Sequence, residues 1–152
     1  MQKITPFLWF DGKAEEAMNF YISIFKNSKI VSISRSGEQG PVTGCTFQLD
    51  GQELFALNGG PQFTFSPAIS FFVNCETQQE VDELWEKLSV GGEKGRCGWL
   101  KDKYGLSWQV IPSVLGEMLH DKDAGKSKRV RKAMLQMNKI DIKSLKQAYD
   151  QG

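Results

Sequence analysis

Apolar and polar positions run through the same sequence of periods twice along this chain. Ile4 to Phe10 is a nearly unbroken apolar and aromatic run, with Pro6 near its start where a strand loses an N–H at least cost, and it predicts a first strand. Asp11-Gly12 interrupts the run. Beyond it Ala14, Ala17, Met18, Tyr21 and Phe25 fall at helical spacing, with Glu15, Glu16 and Asn19 on the other side, which predicts an amphipathic helix lying on a sheet. Ile30 to Ser34 alternates, a loop follows at Gly37, Gly40, Pro41 and Gly44, and Cys45 to Leu49 is tied to Leu54 to Leu57 by the hairpin signal Asp50-Gly51. Asn58-Gly59-Gly60-Pro61 closes this module, and the stretch through Pro67 reads as a linker.

The pattern then starts again. Ala68 to Val73 predicts a strand, and Thr77-Gln78-Gln79-Glu80 is a capping-box pattern opening a helix from Gln78 to Leu88 with Val81, Leu84, Trp85 and Leu88 as its buried stripe. Gly91-Gly92 ends that helix, and Gly95, Gly98 and Gly105 punctuate short strands around Trp99 and Trp108. The last run, Gly105 to Ile111, restates Gly51 to Leu57, so the strand carrying Gln109 is expected near the pseudo-twofold partner of the strand carrying Phe55. Two strand-helix-strands modules in tandem predict an α+β fold with a cleft where they meet. After Pro112 the pattern turns polar and helical, with Val130, Met134 and Met137 among Lys126, Lys128, Arg129, Arg131 and Lys132, and Leu145 and Tyr149 marking one more short helix. These tail helices have no place in the repeat and are expected to cap the sheet or a partner subunit. The organisation read from the pattern is one domain over residues 1–115, with modules at about 3–60 and 66–112, and a helical extension over 116–152.

Composition narrows the partners. A chain of 152 residues can bury a core but is short for two conventional domains. Charged residues make up 24% with a formal net charge of +1, so no overall field draws the protein to nucleic acid or to an acidic membrane, and the basic tail helix reads as a solvated face. No apolar stretch approaches the roughly 20 residues of a membrane span, and Met1 to Pro6 lacks a long apolar leader, so a cytoplasmic protein is expected. Cys45, Cys75 and Cys97 are odd in number and widely spaced, which argues against a disulfide framework or a cysteine zinc site and reads as small buried thiols.

Several spaced motifs carry a family resemblance. Ile4-Thr5-Pro6-Phe7-Leu8-Trp9-Phe10-Asp11-Gly12, Ala14-Glu15-Glu16-Ala17, Phe20-Tyr21 and Ala56-Leu57-Asn58-Gly59-Gly60-Pro61 are joined by a second set, Cys97-Gly98-Trp99-Leu100-Lys101-Asp102-Lys103-Tyr104-Gly105 and Ser107-Trp108-Gln109. Together they resemble the PhnB-like branch of the glyoxalase/bleomycin-resistance/dioxygenase superfamily, whose members have been labelled 3-demethylubiquinone-9 3-methyltransferase. The resemblance runs from about Lys3 to Leu115 and more weakly into the tail. It implies the vicinal-oxygen-chelate fold, in which paired βαβββ modules form a curved, mostly antiparallel sheet around a central cleft, and it implies homodimers.

The resemblance also implies, in metal-dependent members, one divalent ion held by histidine and carboxylate ligands from four strands. Carried onto this chain, those positions fall near Pro6 or Phe7, at Ala68 or Ser70, near Phe55 or Leu57, and on Gln109. Only Gln109 keeps a ligand-like oxygen, and the single histidine, His120, lies beyond the second module. No resident metal or other cofactor is expected. Neither Gly59-Gly60, before a proline, nor Gly91-Gly92, at a helix end, has the strand-to-helix context of an S-adenosylmethionine turn, so the methyltransferase label stands as a family name.

Candidate pocket residues are Phe7, Trp9, Asn58, Ser70, Trp99 and Gln109, with Cys97 as a candidate nucleophile. Gln109 sits mid-strand among apolar neighbours, where an unpaired amide is costly; it serves either a ligand or the backbone. Asn58 serves either the turn or a ligand. Trp9, Phe7, Trp99, Trp108 and Phe71 could line an aromatic pocket, although alternation sends half of such residues to the core. Asp102-Lys103-Tyr104-Gly105 reads as a turn. The leading expectation is a small-molecule-binding protein that uses no metal. The alternatives are an enzyme of lyase, dioxygenase or transferase type on a small organic substrate, using an added metal or Cys97 and Gln109, and a structural dimer in which Met134 and Met137 join an interface.

Overall fold

Hydrophobicity alone extends the first strand further than its hydrogen bonds allow. In the computed structural model, which describes residues 2–151, β1 spans Phe7–Phe10. The Pro6 carbonyl still accepts from the Phe55 N–H at 2.9 Å. Further upstream a side chain replaces the ladder: Gln2 Nε2 donates to the Glu53 carbonyl at 3.0 Å, and its Oε1 accepts from the Glu53 N–H at 3.3 Å. Helix α1 (Ala14–Ile24) turns Ala14, Ala17, Met18 and Tyr21 inward, all buried. Two alanines bring the helix axis close to the sheet, and Tyr21 lies nearly parallel to Phe47 with ring centres 6.4 Å apart. The sheet beneath is completed by β2 (Lys29–Arg35), β3 (Val42–Leu49) and β4 (Gln52–Asn58) in the order β1-β4-β3-β2. β1 runs parallel to β4, with Phe7 opposite Phe55, and the other pairs are antiparallel. Asp50 and Gly51 both take positive φ, as a tight hairpin of this hand requires.

The second half repeats the order. β5 (Phe71–Cys75), α2 (Gln78–Ser89), β6 (Glu93–Lys94), β7 (Trp99–Lys101) and β8 (Ser107–Pro112) form a sheet ordered β5-β8-β7-β6, with β5 parallel to β8. β5 starts at Phe71 and not at Ala68 because the preceding N–H groups are used locally: Ile69 donates to the Ser66 carbonyl and Ala68 to Ser66 Oγ. Thr77 Oγ1 accepts from the Glu80 N–H at 3.2 Å, while the Glu80 carboxylate reaches back to the Glu76 N–H at 2.7 Å, one residue before the cap. Val81, Leu84, Trp85 and Leu88 are buried as the helical spacing predicts, in a unit whose core also holds Leu100, Leu106, Trp108 and Val110.

Helices α3 (Ser113–Leu119), α4 (Ala124–Met134) and α5 (Ile142–Asp150) enclose a second core of Leu115, Met118, Val130, Ile140 and Leu145 around Ile111 of β8. The tail therefore caps the sheet of its own half, and Met134 and Met137 pack against this core. The chain divides into two compact units, Met1–Phe65 and Ser66–Gly152, with all three tail helices in the second. The tail is fastened by backbone bonds: the N–H groups of Cys97 and Gly98 donate to the carbonyls of Met137 and Asn138 at 2.9 and 2.8 Å, and Arg96 Nη2 donates to the Leu135 carbonyl at 2.9 Å. Carbonyls at and beyond the end of α4, which have no partner further along the helix, thus find donors in the strand layer. Gly98 is required there, since its φ is +86° and a Cβ would lie 2.5 Å from Ile111 Cδ1 and 3.2 Å from Ile140 Cγ1.

Candidate functional site

β8 is covered on both faces. Trp108 and Val110 are buried on one face, while Ile111 joins the core of the tail helices on the other. Gln109 points to that second side, and between it and the helices lies a cavity of about 390 Å³. Its sheet wall is formed by Phe72, Asn74, Cys97, Trp99, Gln109 and Ile111. The opposite wall comes from α3 and α4, chiefly Leu115, Gly116, Leu119 and Met134, with Pro112 and Ser113 at the junction. No charged side chain lines it. An ion entering this space would leave its hydration without a countercharge, whereas a neutral apolar molecule loses little.

Asn74, Cys97, Gln109 and Ser113 are the polar side chains of its lining, and two of them are held by hydrogen bonds. Gln109 Nε2 donates to Ser70 Oγ at 3.0 Å, which fixes the amide and leaves Oε1 without a donor among the described residues. The Cys97 thiol is turned to the Met134 carbonyl at 3.5 Å, on a residue whose φ of 58° is uncommon for a side-chain-bearing residue. At the other two thiols burial, with Glu15 nearby, pushes Cys45 up to about 11, and burial, with Glu80 and Glu76, pushes Cys75 up to about 12. Neither forms thiolate near neutral pH, and of the three thiols Cys97 is the one that lines this cavity.

Of the sequence candidates, Trp99, Gln109 and Cys97 meet at this cavity, and Ser70 is joined to it through Gln109. Phe7 instead sits on the outer face of the first sheet, 61% exposed, beside Phe55, Leu57, Ser32 and Thr46 around a shallow hollow of about 340 Å³. Trp9 lies against Gly59, where a Cβ would approach its ring to 2.3 Å; its Nε1 donates to the Gly60 carbonyl at 2.9 Å, and it meets Phe63 edge-on. Asn58 is engaged at both ends of its amide. Its Oδ1 accepts from the Ala14 N–H, one of the free donors at the start of α1, and its Nδ2 donates to the Val42 carbonyl. Trp108 and Phe71 pack edge-on at 5.2 Å, with Trp108 in the core. Its Nε1 donates to Oδ2 of Asp102, a carboxylate only 3% exposed whose Oδ1 accepts from the N–H groups of Tyr104 and Leu106. The 102–105 segment is a turn held by that carboxylate.

Phe72, Leu119 and Met134 were not among the sequence candidates. Phe72 was reachable, since it faces Gln109 across the parallel pair as Phe7 faces Phe55. The repeat's own register thus puts Phe72, and not Ala68 or Ser70, opposite Gln109. The paired central positions are then Phe7, Phe55, Phe72 and Gln109, with no imidazole and no carboxylate among them, and no group of three or more His, Cys, Asp or Glu among the described residues is arranged to hold a metal ion. These donors do not fit a divalent ion. His120, at the end of α3, is exposed and bonds through Nδ1 to the Gly116 carbonyl at 2.7 Å. A wider hollow of about 1130 Å³ near the starts of α2 and α5 is open and lined mostly by polar side chains; its Gln78 is spent on Ile140 and Ile142 backbone, so the smaller, drier cavity is the better site.

Comparison with known proteins agrees with the repeated βαβββ order. The family profile described as 3-demethylubiquinone-9 3-methyltransferase matches residues 2–111. A PhnB protein from Bacillus cereus is 48% identical, with a TM-score of 0.68, over 73% of this chain and 99% of its own. Protein PA1353 from Pseudomonas aeruginosa shares the fold at 18% identity and a TM-score of 0.60, over 74% and 98%. So does the fosfomycin resistance protein FosX from Listeria monocytogenes, solved with Mn(II) and sulfate, at 17% identity and a TM-score of 0.53, over 71% and 90%. No curated protein matches the sequence.

Proposed function

The chain belongs to the PhnB-like, 3-demethylubiquinone-9 3-methyltransferase family of the vicinal-oxygen-chelate superfamily, and from that premise we propose that it binds an uncharged small organic molecule in the cavity beside Trp99 and Gln109, without a metal ion. One observation carries this reading: an uncharged, mainly apolar cavity holds the Gln109 amide, fixed by Ser70, whose Oε1 has no donor among the described residues. A flat molecule with one N–H or O–H would rest on the Trp99 ring and donate to Gln109. The absence of carboxylate and imidazole donors at the paired positions supports metal-free binding here, in contrast to the Mn(II) found in FosX.

The test uses N-phenyl-1-naphthylamine, a neutral aromatic amine whose fluorescence rises in apolar surroundings. Saturable binding is expected, equal with and without a chelator, and weakened by about tenfold in Gln109→Leu and in Trp99→Ala, the scale of one lost hydrogen bond or one emptied contact. Binding that requires added manganese, nickel, zinc or iron, or that ignores both substitutions, would falsify the reading.

We also place the protein in the cytoplasm, as a homodimer. Three free thiols among the described residues support a reducing compartment, and no described helix is long and apolar enough to cross a membrane. Solvent-facing Ile30 and Val31 on β2 support pairing with a second copy. Export of the full chain in fractionated cells would overturn the compartment; the dimer is tested by mass below.

A further inference from the structure

The family match stops at Ile111, inside β8, yet the cavity does not: Leu115, Gly116, Leu119 and Met134 of the following helices form one of its walls. Those helices are not loosely appended. The loop before β7 is bonded to the last residue of α4 and the segment that follows it: the Cys97 thiol to the Met134 carbonyl, and Arg96, Cys97 and Gly98 to the carbonyls of Leu135, Met137 and Asn138, just ahead of Trp99. Resting on the binding-site reading above, we propose that α3 and α4 are the specificity element of the pocket, with Leu119 and Met134 setting the size of neutral molecule it accepts. The sheet wall supplies Trp99 and the Gln109 amide, and the helical wall decides what fits against them. Both wall residues are partly buried apolar side chains at the edge of the second core, so they can be enlarged without opening that core.

Leu119→Trp and Met134→Trp fill the cavity from the helical side, and two probes read the result. The first is N-phenyl-1-naphthylamine affinity. The second is the rate at which N-ethylmaleimide alkylates Cys97, with its thiol sulfur adding to the alkene carbon and the proton ending on the adjacent carbon; Cys45 and Cys75 are buried and protonated, so Cys97 reports alone. Circular dichroism and the denaturation midpoint establish that each variant is folded, and Leu119→Val, which shrinks the wall, provides a second folded variant. We expect at least about tenfold weaker dye binding in the tryptophan variants, the cost of overpacking a formed cavity, with slower Cys97 alkylation and with dye binding retained in Leu119→Val. Wild-type affinity and wild-type alkylation in both tryptophan variants would overturn the helical wall while leaving the binding reading intact. Slower alkylation in a protein that never binds the dye saturably would do the reverse: the wall stands, and the small-molecule reading fails.

Discussion

Asp102 is the residue whose structural weight the sequence hides best. In the sequence it is one member of a polar turn beside Lys103, and the turn is what its neighbours dictate. In the fold it is buried, and its two oxygens accept from Tyr104, Leu106 and Trp108, binding the turn, the start of β8 and the core indole into one unit. An amide has a single acceptor oxygen. Asp102→Asn therefore either turns an NH2 toward the Trp108 N–H or strands the two backbone donors, and should cost about 1–3 kcal/mol in urea denaturation. Loss of less than half a kcal/mol, on the order of a surface substitution, would show that these bonds contribute little. Asn58 has the same character, a turn residue by sequence that caps a distant helix in space. Gln109 is the opposite case: the repeat placed it mid-strand, and what remained illegible was its bond to Ser70, which lies outside any strand.

At the scale of elements, periodicity located the helices of both modules within a residue or so, because each buries one stripe against a sheet. It missed the starts of β1 and β5, where Pro6 and the Ser66 turn remove N–H groups from the ladder without changing hydrophobicity. Of the tail helices α4 and α5 were legible as helices, α3 was not read as an element, and none was legible as a wall, since Leu119 and Met134 acquire their role only once Arg96 to Gly98 has bonded to the end of α4 and the residues after it. The outer end of the tail is held by another pair: Tyr149 Oη donates to Asp121 Oδ2, Arg129 bonds to the carbonyls of Ala148 and Tyr149, and Lys126 lies 4.7 Å over the Tyr149 ring. The Tyr149 bond, aided by the Asp123 N–H, holds the Asp121 carboxyl below its ordinary 3.8, and the same bond raises Tyr149 above 10.0. A depressed carboxyl contributes stability above its unfolded value and loses it as pH falls through the folded one. A raised phenol contributes below its unfolded value and loses it as pH rises through the folded one. The clasp thus acts from about pH 4 to about pH 10. Tyr149→Phe should lower the thermal midpoint at neutral pH and converge with wild type at both extremes. A difference that stays constant across that range would assign the effect to packing.

For the whole molecule, the repeat is the property that both the sequence and the structure carry, and its two copies differ where their surfaces differ. The sheet order is the same, each with one parallel pair, yet the tail helices belong to the second unit, where they overlie β8. The edge strands differ as well. β6, at the edge of the second sheet, consists of Glu93 and Lys94, charges that resist strand addition; β2, at the edge of the first, exposes Ile30 and Val31. An edge that exposes two adjacent apolar side chains beside unpaired N–H and C=O groups gains when a second copy covers it, whereas an edge made of two charged residues needs no cover. The homodimer proposed above should therefore weigh twice 17.1 kDa by light scattering at micromolar concentration, and Ile30→Lys combined with Val31→Glu should return it to a single chain with its circular dichroism unchanged. A wild-type particle of 17.1 kDa would remove the dimer altogether. A dimer that survives the double substitution would move the interface away from β2, because two unlike charges placed on both faces of one edge strand leave neither face able to close on a partner.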